Sequence, residues 1–309
     1  AARLATHASV LLLEQESSLG YHPSGRSAAL YEPNYGAPSV LGLTRASASF
    51  YFDETNNYLS PRGVLLVARE SEREDFEADC ATLNLHAITP QEALDMVPIL
   101  RADQVDLASH HAEAWDIDTD RLMQDFAGVT RRNGGQIVCN APVDQITRVG
   151  TGWQIHSAGQ MYEADVIINA AGAWADEVAT LAEVAPVGLV PYRRSMARIP
   201  APDGQDVSRW PIIFGVNEGW YAKPDAGQLI VSPADEDAST PHDAWADDMV
   251  LAQGLAKYQE MVTPEVTRLT SSWAGLRTFA PDRTLVIGRD AAQPAFFWLA
   301  GQGGYGFQT

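Results

Sequence analysis

Residues 296–300, Phe-Phe-Trp-Leu-Ala, form an apolar run that empties into Gly301-Gln302-Gly303-Gly304-Tyr305-Gly306-Phe307-Gln308-Thr309. The glycines there let a backbone lie against a bulky ligand, because no Cβ intervenes. A strand feeding such a loop usually leads to a helix whose first N–H groups face an anion or an electron-rich group. The other end of the chain carries a matching signal. Ala1 to His7 reads as the tail of a helix, and the strand Ala8 to Leu13 runs into Glu14. An acid at the end of the second strand of a dinucleotide-binding βαβ unit accepts ribose hydroxyls, although such an acid alone is as readily just solvated. Together the two ends predict a nucleotide-cofactor enzyme. Its first strand and G-x-G-x-x-G turn are expected upstream of Ala1 and a helix beyond Thr309, so the stretch reads as truncated at both ends.

A chain of 309 residues exceeds one ordinary domain,. The net charge of −19 lacks the basic face that nucleic acid needs,. Only Cys80 and Cys139 are present, which excludes a disulfide framework and makes a reducing cytoplasm the default,. No apolar run is long enough to span a bilayer, so the expected location is cytoplasmic, or peripheral to the inner membrane.

Along the chain, Arg62 to Ala68 reads as a strand. Thr89-Pro90-Gln91-Glu92 carries a capping threonine, a first-turn proline and a glutamate three residues after the cap, which predicts a helix start,. A second start is expected at Asp118. Gln136–Val138 and Val143–Val149 read as strands, and Gly150-Thr151-Gly152 turns the chain into Trp153–His156. Asp165–Asn169 is a buried-type strand entering Ala170-Ala171-Gly172 and then a helix to about Glu183. Beyond Gly188, strands are expected at Leu189–Arg198, Trp220–Lys223, Leu229–Ser232 and Leu269–Phe279, with an acidic insertion, Pro233–Met249, leading into a helix that ends near Val262. The order is α/β at both ends with a β-rich middle. It predicts a discontinuous cofactor domain (1–40, 118–184 and 279–309) holding an inserted substrate domain (41–117 and 185–278).

Several stretches carry chemistry. Pro23-Ser24-Gly25-Arg26-Ser27-Ala28 offers backbone N–H groups and hydroxyls to a pyrophosphate, or is an ordinary surface turn. Ala171-Gly172 permits close approach of a ring, or simply tight helix–strand packing. Arg194 and Arg277 lie in apolar strands, where a guanidinium demands an anion. A carboxylate gripped in a bidentate fork suits it, and a structural ion pair is the alternative. Tyr35 and Tyr221 could supply phenolic hydrogen bonds. Adjacent His110 and His111 in an extended segment point to opposite faces, so no metal site is expected. Neither a Gly-x-Ser-x-Gly elbow nor a Cys/His nucleophile constellation occurs.

Taken in order, Gly20–Ala29, Tyr35-Gly36, Leu59–Arg62, Asp116–Asp120, Asn169–Trp174, Arg193–Ser195, Lys223–Gly227, Trp273–Arg277 and Gln302–Thr309 resemble the FAD-dependent D-amino-acid oxidase/dehydrogenase superfamily. Within it they are most similar to bacterial D-arginine dehydrogenases. The resemblance implies a Rossmann-like FAD domain and a substrate domain built on a large, mostly antiparallel sheet. It implies hydride transfer from a substrate Cα to flavin, giving an imino acid that hydrolyses to a keto acid. Arg194 and Arg277 would clamp the substrate carboxylate, with Tyr35 and Tyr221 completing the pocket. FAD would be held by Glu14, Gln15, Pro23, Ser24, Gly25, Arg26, Ser27, Ala28, Val143, Ala171, Gly172 and the Gly303, Gly304, Tyr305, Gly306, Phe307 and Gln308 loop.

Three positions depart from the arginine enzymes. Val64 stands where they carry the acid that pairs with guanidinium, and Leu30 and Glu32 replace a histidine and a threonine. The pocket is therefore expected to favour apolar side chains, with Glu32 the one residue able to restore a cation site. A secondary amino acid such as sarcosine or proline is a second expected substrate class. The electron acceptor, oxygen or quinone, is left open. A reading of another class, a non-catalytic fragment, follows from the expected truncation, which would leave FAD weakly held.

Overall fold

The computed structural model describes residues 1–309. Its largest unit is a nine-stranded sheet. From one edge the order is Ser271–Phe279, Val190–Pro200, Gln228–Ser232 (with the short Asp237–Ala238 also on Val190–Pro200), Tyr221–Asp225, Ile212–Gly215, Val64–Ala68, Leu107–His111 and His86–Ile88. Every pairing is antiparallel except that of Ile212–Gly215 with Val64–Ala68. The run Val64–Ala68 is apolar throughout because both of its faces are buried,. Leu65 and Val67 join a core with Ile213, Val231 and the helix residues Tyr258 and Met261. Val64 and Leu66 face the other way, toward Met196, Ile212, Tyr221 and Phe76.

The remaining sheets are smaller. Leu11–Leu13 pairs in parallel with Gln136–Val138, and Ile167–Asn169 pairs in parallel with Phe296–Ala300. Val143–Val149, Gly152–Ser157 and Gln160–Ala164 form a three-stranded meander around the expected Gly150–Gly152 turn. One core joins these pieces, with Ile146, Trp153, Phe296 and Trp298 at its centre and Leu13, Val143 and Ile167 packed on it. Asp176 ties this side to the large sheet. Its carboxylate accepts N–H bonds from Val187, Gly188 and Leu189 just before the strand Val190–Pro200 begins.

Both helix starts form. Thr89 and Glu92 make the reciprocal capping box of the helix Pro90–Met96, and Asp118 caps Thr119–Arg132 through Arg121 N. The helix after Gly172 begins with a 3-10 turn, Gly172–Trp174, and continues as Ala175–Leu181. Ala1–His7 contains only the 3-10 turn Leu4–Thr6. Two helices, Pro38–Tyr51 and Arg73–Leu83, have no counterpart in the sequence reading. The first corrects the domain boundary drawn after residue 40, which falls inside it. Tyr51 at its end packs with Tyr31, Tyr58, Ile117 and Leu122, so Pro38–Tyr51 belongs with the helix Thr119–Arg132. No helix is long and apolar enough to cross a membrane.

Candidate active site

Antiparallel register builds the centre of the site. Tyr192 stands opposite Arg277 and Arg194 opposite Gly275, so Arg194 and Arg277 lie diagonally on one face of the sheet. The strand period separates the doublet: Arg193 points to the other face and pairs with Asp235 and Asp237,. Arg194 is 5% exposed, and its Nε and Nη1 are buried without a hydrogen-bond partner. Its nearest carboxylate, Glu218, is 3.6 Å from Nη1, beyond hydrogen-bonding distance. A buried guanidinium left in that state is costly unless an anion arrives. Burial alone would lower the Arg277 pKa, but Tyr35, Tyr221 and Glu218 around it outweigh that and hold it above the usual value.

The glycine loop fits over Arg277. A Cβ on Gly304 would stand 3.0 Å from the Arg277 Cζ, so the guanidinium is layered on that backbone. Gly303 has φ 53°, donates its N–H to Thr278 O at 2.8 Å, and leaves no space for a Cβ beside the Phe279 ring. Tyr35 and Tyr305 stand ring against ring at 5.2 Å. Burial pushes both phenols up in pKa, so both stay protonated at neutral pH. Gln308 is 3% exposed; its amide accepts from Glu32 N and donates to Tyr35 O. The amide thus joins two loops. Tyr51 donates from its hydroxyl to Phe307 O and fastens the same loop from the other side.

Leu30, Val64 and Tyr221 meet in one apolar cluster. Tyr221 is buried and its hydroxyl donates to Met196 Sδ at 3.1 Å. Glu32 is 5% exposed; one carboxylate oxygen accepts from Asn34 N, and the other lies 3.0 Å from His111 Nε2. His111, opposite Val64 in the sheet, is itself buried. That second oxygen and both His111 ring nitrogens make no hydrogen bond, so Glu32 is confined against a buried imidazole and away from open solvent. Neither Glu218 nor the His111 contact was visible in the sequence, since both arise from chain crossings. The turn Val216–Gly219 just before Tyr221 was the one available hint for Glu218.

The remaining predicted residues surround a second edge. Glu14 is partly buried and accepts from Glu16 N at 3.0 Å, while Gln15 is exposed. Glu16 meets His22 at 2.9 Å, and the His22 ring lies 4.6 Å from Trp174, so the Glu14 strand end, the Pro23–Arg26 turn and the Ala171-Gly172 turn come together. Buried Asn169 locks the last of these, donating to Ala175 O and accepting from Ala171 N. Gly172 has φ 57°, and nothing lies within 4 Å of where its Cβ would be. Ser27 Oγ accepts from Ala29 N, and Pro23 packs on Gly275. Ser24 and Gly25 sit in the same 3-10 turn, Ala28 packs toward the Leu30 cluster, and Val143 packs on the core around Trp153 and Phe296. The Arg26 guanidinium is not free for a pyrophosphate. It bonds Asp243 and the carbonyls of Tyr21, Ala244 and Ala274, which leaves only its backbone for a cofactor.

Residues 1–309 match the FAD dependent oxidoreductase family, DAO, along their whole length, and the chain belongs to that family. Its cofactor is FAD. A hydrogen cyanide synthase subunit, HcnC, of Pseudomonas aeruginosa is 24% identical over 263 residues, covering 80% of this chain and 58% of that protein, so the match spans under two thirds of that relative. Among solved structures, an L-proline dehydrogenase from P. horikoshii is 19% identical, covering 99% of this chain and 85% of its own, with a TM-score of 0.84. An L-α-glycerophosphate oxidase from Mycoplasma pneumoniae, with FAD bound, is 18% identical, covering 99% and 87%, with a TM-score of 0.87. At such identities the likeness is one of fold. The residues present suit FAD: Gly172 offers bare backbone, and the Gly303-Gly304 loop is held between Phe279 and the Arg277 guanidinium.

Proposed function

We propose that the protein oxidises a free D-amino acid with an apolar side chain to the imino acid, which water then converts to the keto acid and ammonia. The observation that carries this reading is the buried guanidinium of Arg194, whose Nε and Nη1 make no hydrogen bond, on the same sheet face as Arg277. Two guanidinium groups on one sheet face suit a carboxylate. Bound FAD would supply the acceptor for the hydride leaving Cα. Glu14, the Pro23–Ala28 backbone, Val143, Ala171-Gly172 and the 303–308 loop would hold it, within a cofactor unit formed by the 1–51, 118–184 and 279–309 segments. Tyr35 and Tyr305, protonated at neutral pH, would close one side of the pocket, with the Tyr35 hydroxyl facing the Arg277 guanidinium.

Side-chain preference follows from the opposite wall. The motifs resemble D-arginine dehydrogenase, but Leu30 and Val64 are apolar and Glu32 is buried against His111. A substrate guanidinium there would lack a partner, at a cost of several kcal/mol, whereas burying a leucine-sized side chain contributes about 1.5–3 kcal/mol. The expected kcat/KM for D-leucine or D-methionine exceeds that for D-arginine by roughly 10-fold or more. The test is a steady-state panel of D- and L-amino acids, sarcosine and proline. A preference for D-arginine that disappears in Glu32→Thr would overturn the apolar assignment. A preference for the secondary amines would move the substrate class to the alternative reading.

A further inference from the structure

Glu218 has no role in the chemistry described so far, yet it stands over the centre of the site. It sits in the tight turn Val216–Gly219 between the strands Ile212–Gly215 and Tyr221–Asp225. Asn217 and Glu218 both have left-handed backbones, φ 54° and 49°, a conformation that residues with a Cβ avoid. The turn is held there from several sides. Asp79 accepts from Asn217 N at 2.6 Å, Gly219 N donates to Val216 O, and the Trp220 indole fills the space where Gly215 lacks a Cβ. This places the Glu218 carboxylate 3.6 Å from Arg194 Nη1, with Arg277, Tyr35 and Tyr305 all inside its field. Its side chain is 39% exposed while that of Arg194 is 6% exposed, so the carboxylate stands on the solvent side of a buried cation.

Two fixed positive charges with one negative charge beside them are complementary to a zwitterion, whose ammonium is one carbon removed from its carboxylate. We propose that Glu218 is the amine-recognising residue of this pocket, selecting 2-amino acids over carboxylates that lack an amino group. The proposal rests on the carboxylate clamp of Arg194 and Arg277 described above. On this assignment the substrate carboxylate meets the arginines while Glu218 accepts a hydrogen bond from the α-amino group. A plain carboxylate gains nothing from Glu218 and is repelled by it.

The test is a ligand pair, D-leucine and 4-methylpentanoate, titrated anaerobically by calorimetry into the FAD-loaded protein with its flavin already reduced by dithionite, so that D-leucine binds without reacting, in the unsubstituted protein and in Glu218→Gln, Glu218→Asp and Arg277→Met. In Glu218→Gln, D-leucine is expected to bind about 10-fold more weakly or worse, while 4-methylpentanoate binds equally or more tightly. Glu218→Asp should restore part of the discrimination. Equal loss for both ligands in Glu218→Gln, or no change for either, would overturn the amine assignment. Failure of the clamp reads out separately, as unchanged binding of both ligands in Arg277→Met.

Discussion

Arg277→Met is expected to raise KM for every amino-acid substrate by roughly 10- to 150-fold, as the loss of one charge-assisted bond worth about 1.5–3 kcal/mol requires. The increase should be uniform across side chains, because the carboxylate is common to all of them. Arg194→Met should weaken substrates similarly, with a different effect on the fold. The Arg194 Nε and Nη1 atoms are buried and unpartnered, so an apolar replacement removes a desolvated charge and should leave Tm unchanged or higher. Activity and stability moving in opposite directions is the signature of a residue retained for its ligand. Steady-state kinetics and thermal unfolding check both halves. A variant that altered only side-chain preference would refute the clamp.

Gly303→Ala is expected to be the most damaging small substitution near the site. The left-handed backbone costs a residue with a Cβ about 1–2 kcal/mol, and overpacking against Phe279 adds about 1–3 kcal/mol. The sum, roughly 2–5 kcal/mol, should lower Tm by several degrees. It should also disturb Gly304, against which the Arg277 guanidinium lies. Gly172→Ala is the control. Its backbone is left-handed too, but nothing lies within 4 Å of the added Cβ, so only the conformational part of the cost applies. Its larger effect should fall on FAD affinity, measured by fluorescence titration. Equal Tm losses in the two variants would contradict the packing argument.

The parts of the fold that were legible in the sequence are those whose signals are local. The Thr89–Glu92 box, the Asp118 cap and the Gly150–Gly152 turn satisfy their own backbone groups, and Val64–Ala68 shows its double burial in composition. The helix Pro38–Tyr51 was hidden because Gly42 and its serines form helices poorly, and packing of Val40, Thr44 and Tyr51 decides the matter. In Arg73–Leu83 only Phe76 is buried, so little periodicity reaches the sequence. At the site, the arginines stood out as charges in apolar strands. Glu32 appeared free until the fold brought His111 to it. Arg26 and Gln308 looked like ligands for a cofactor, yet their side chains hold distant segments together.

The most direct test of the account is anaerobic flavin reduction in the FAD-loaded protein, comparing a D-amino acid with the amine that has the same side chain and no carboxylate. D-Leucine should bleach the flavin absorbance, and 3-methylbutylamine should not, because only the acid engages Arg194 and Arg277. Bleaching by both at comparable rates, or by neither D-leucine nor any other amino acid, would contradict the account.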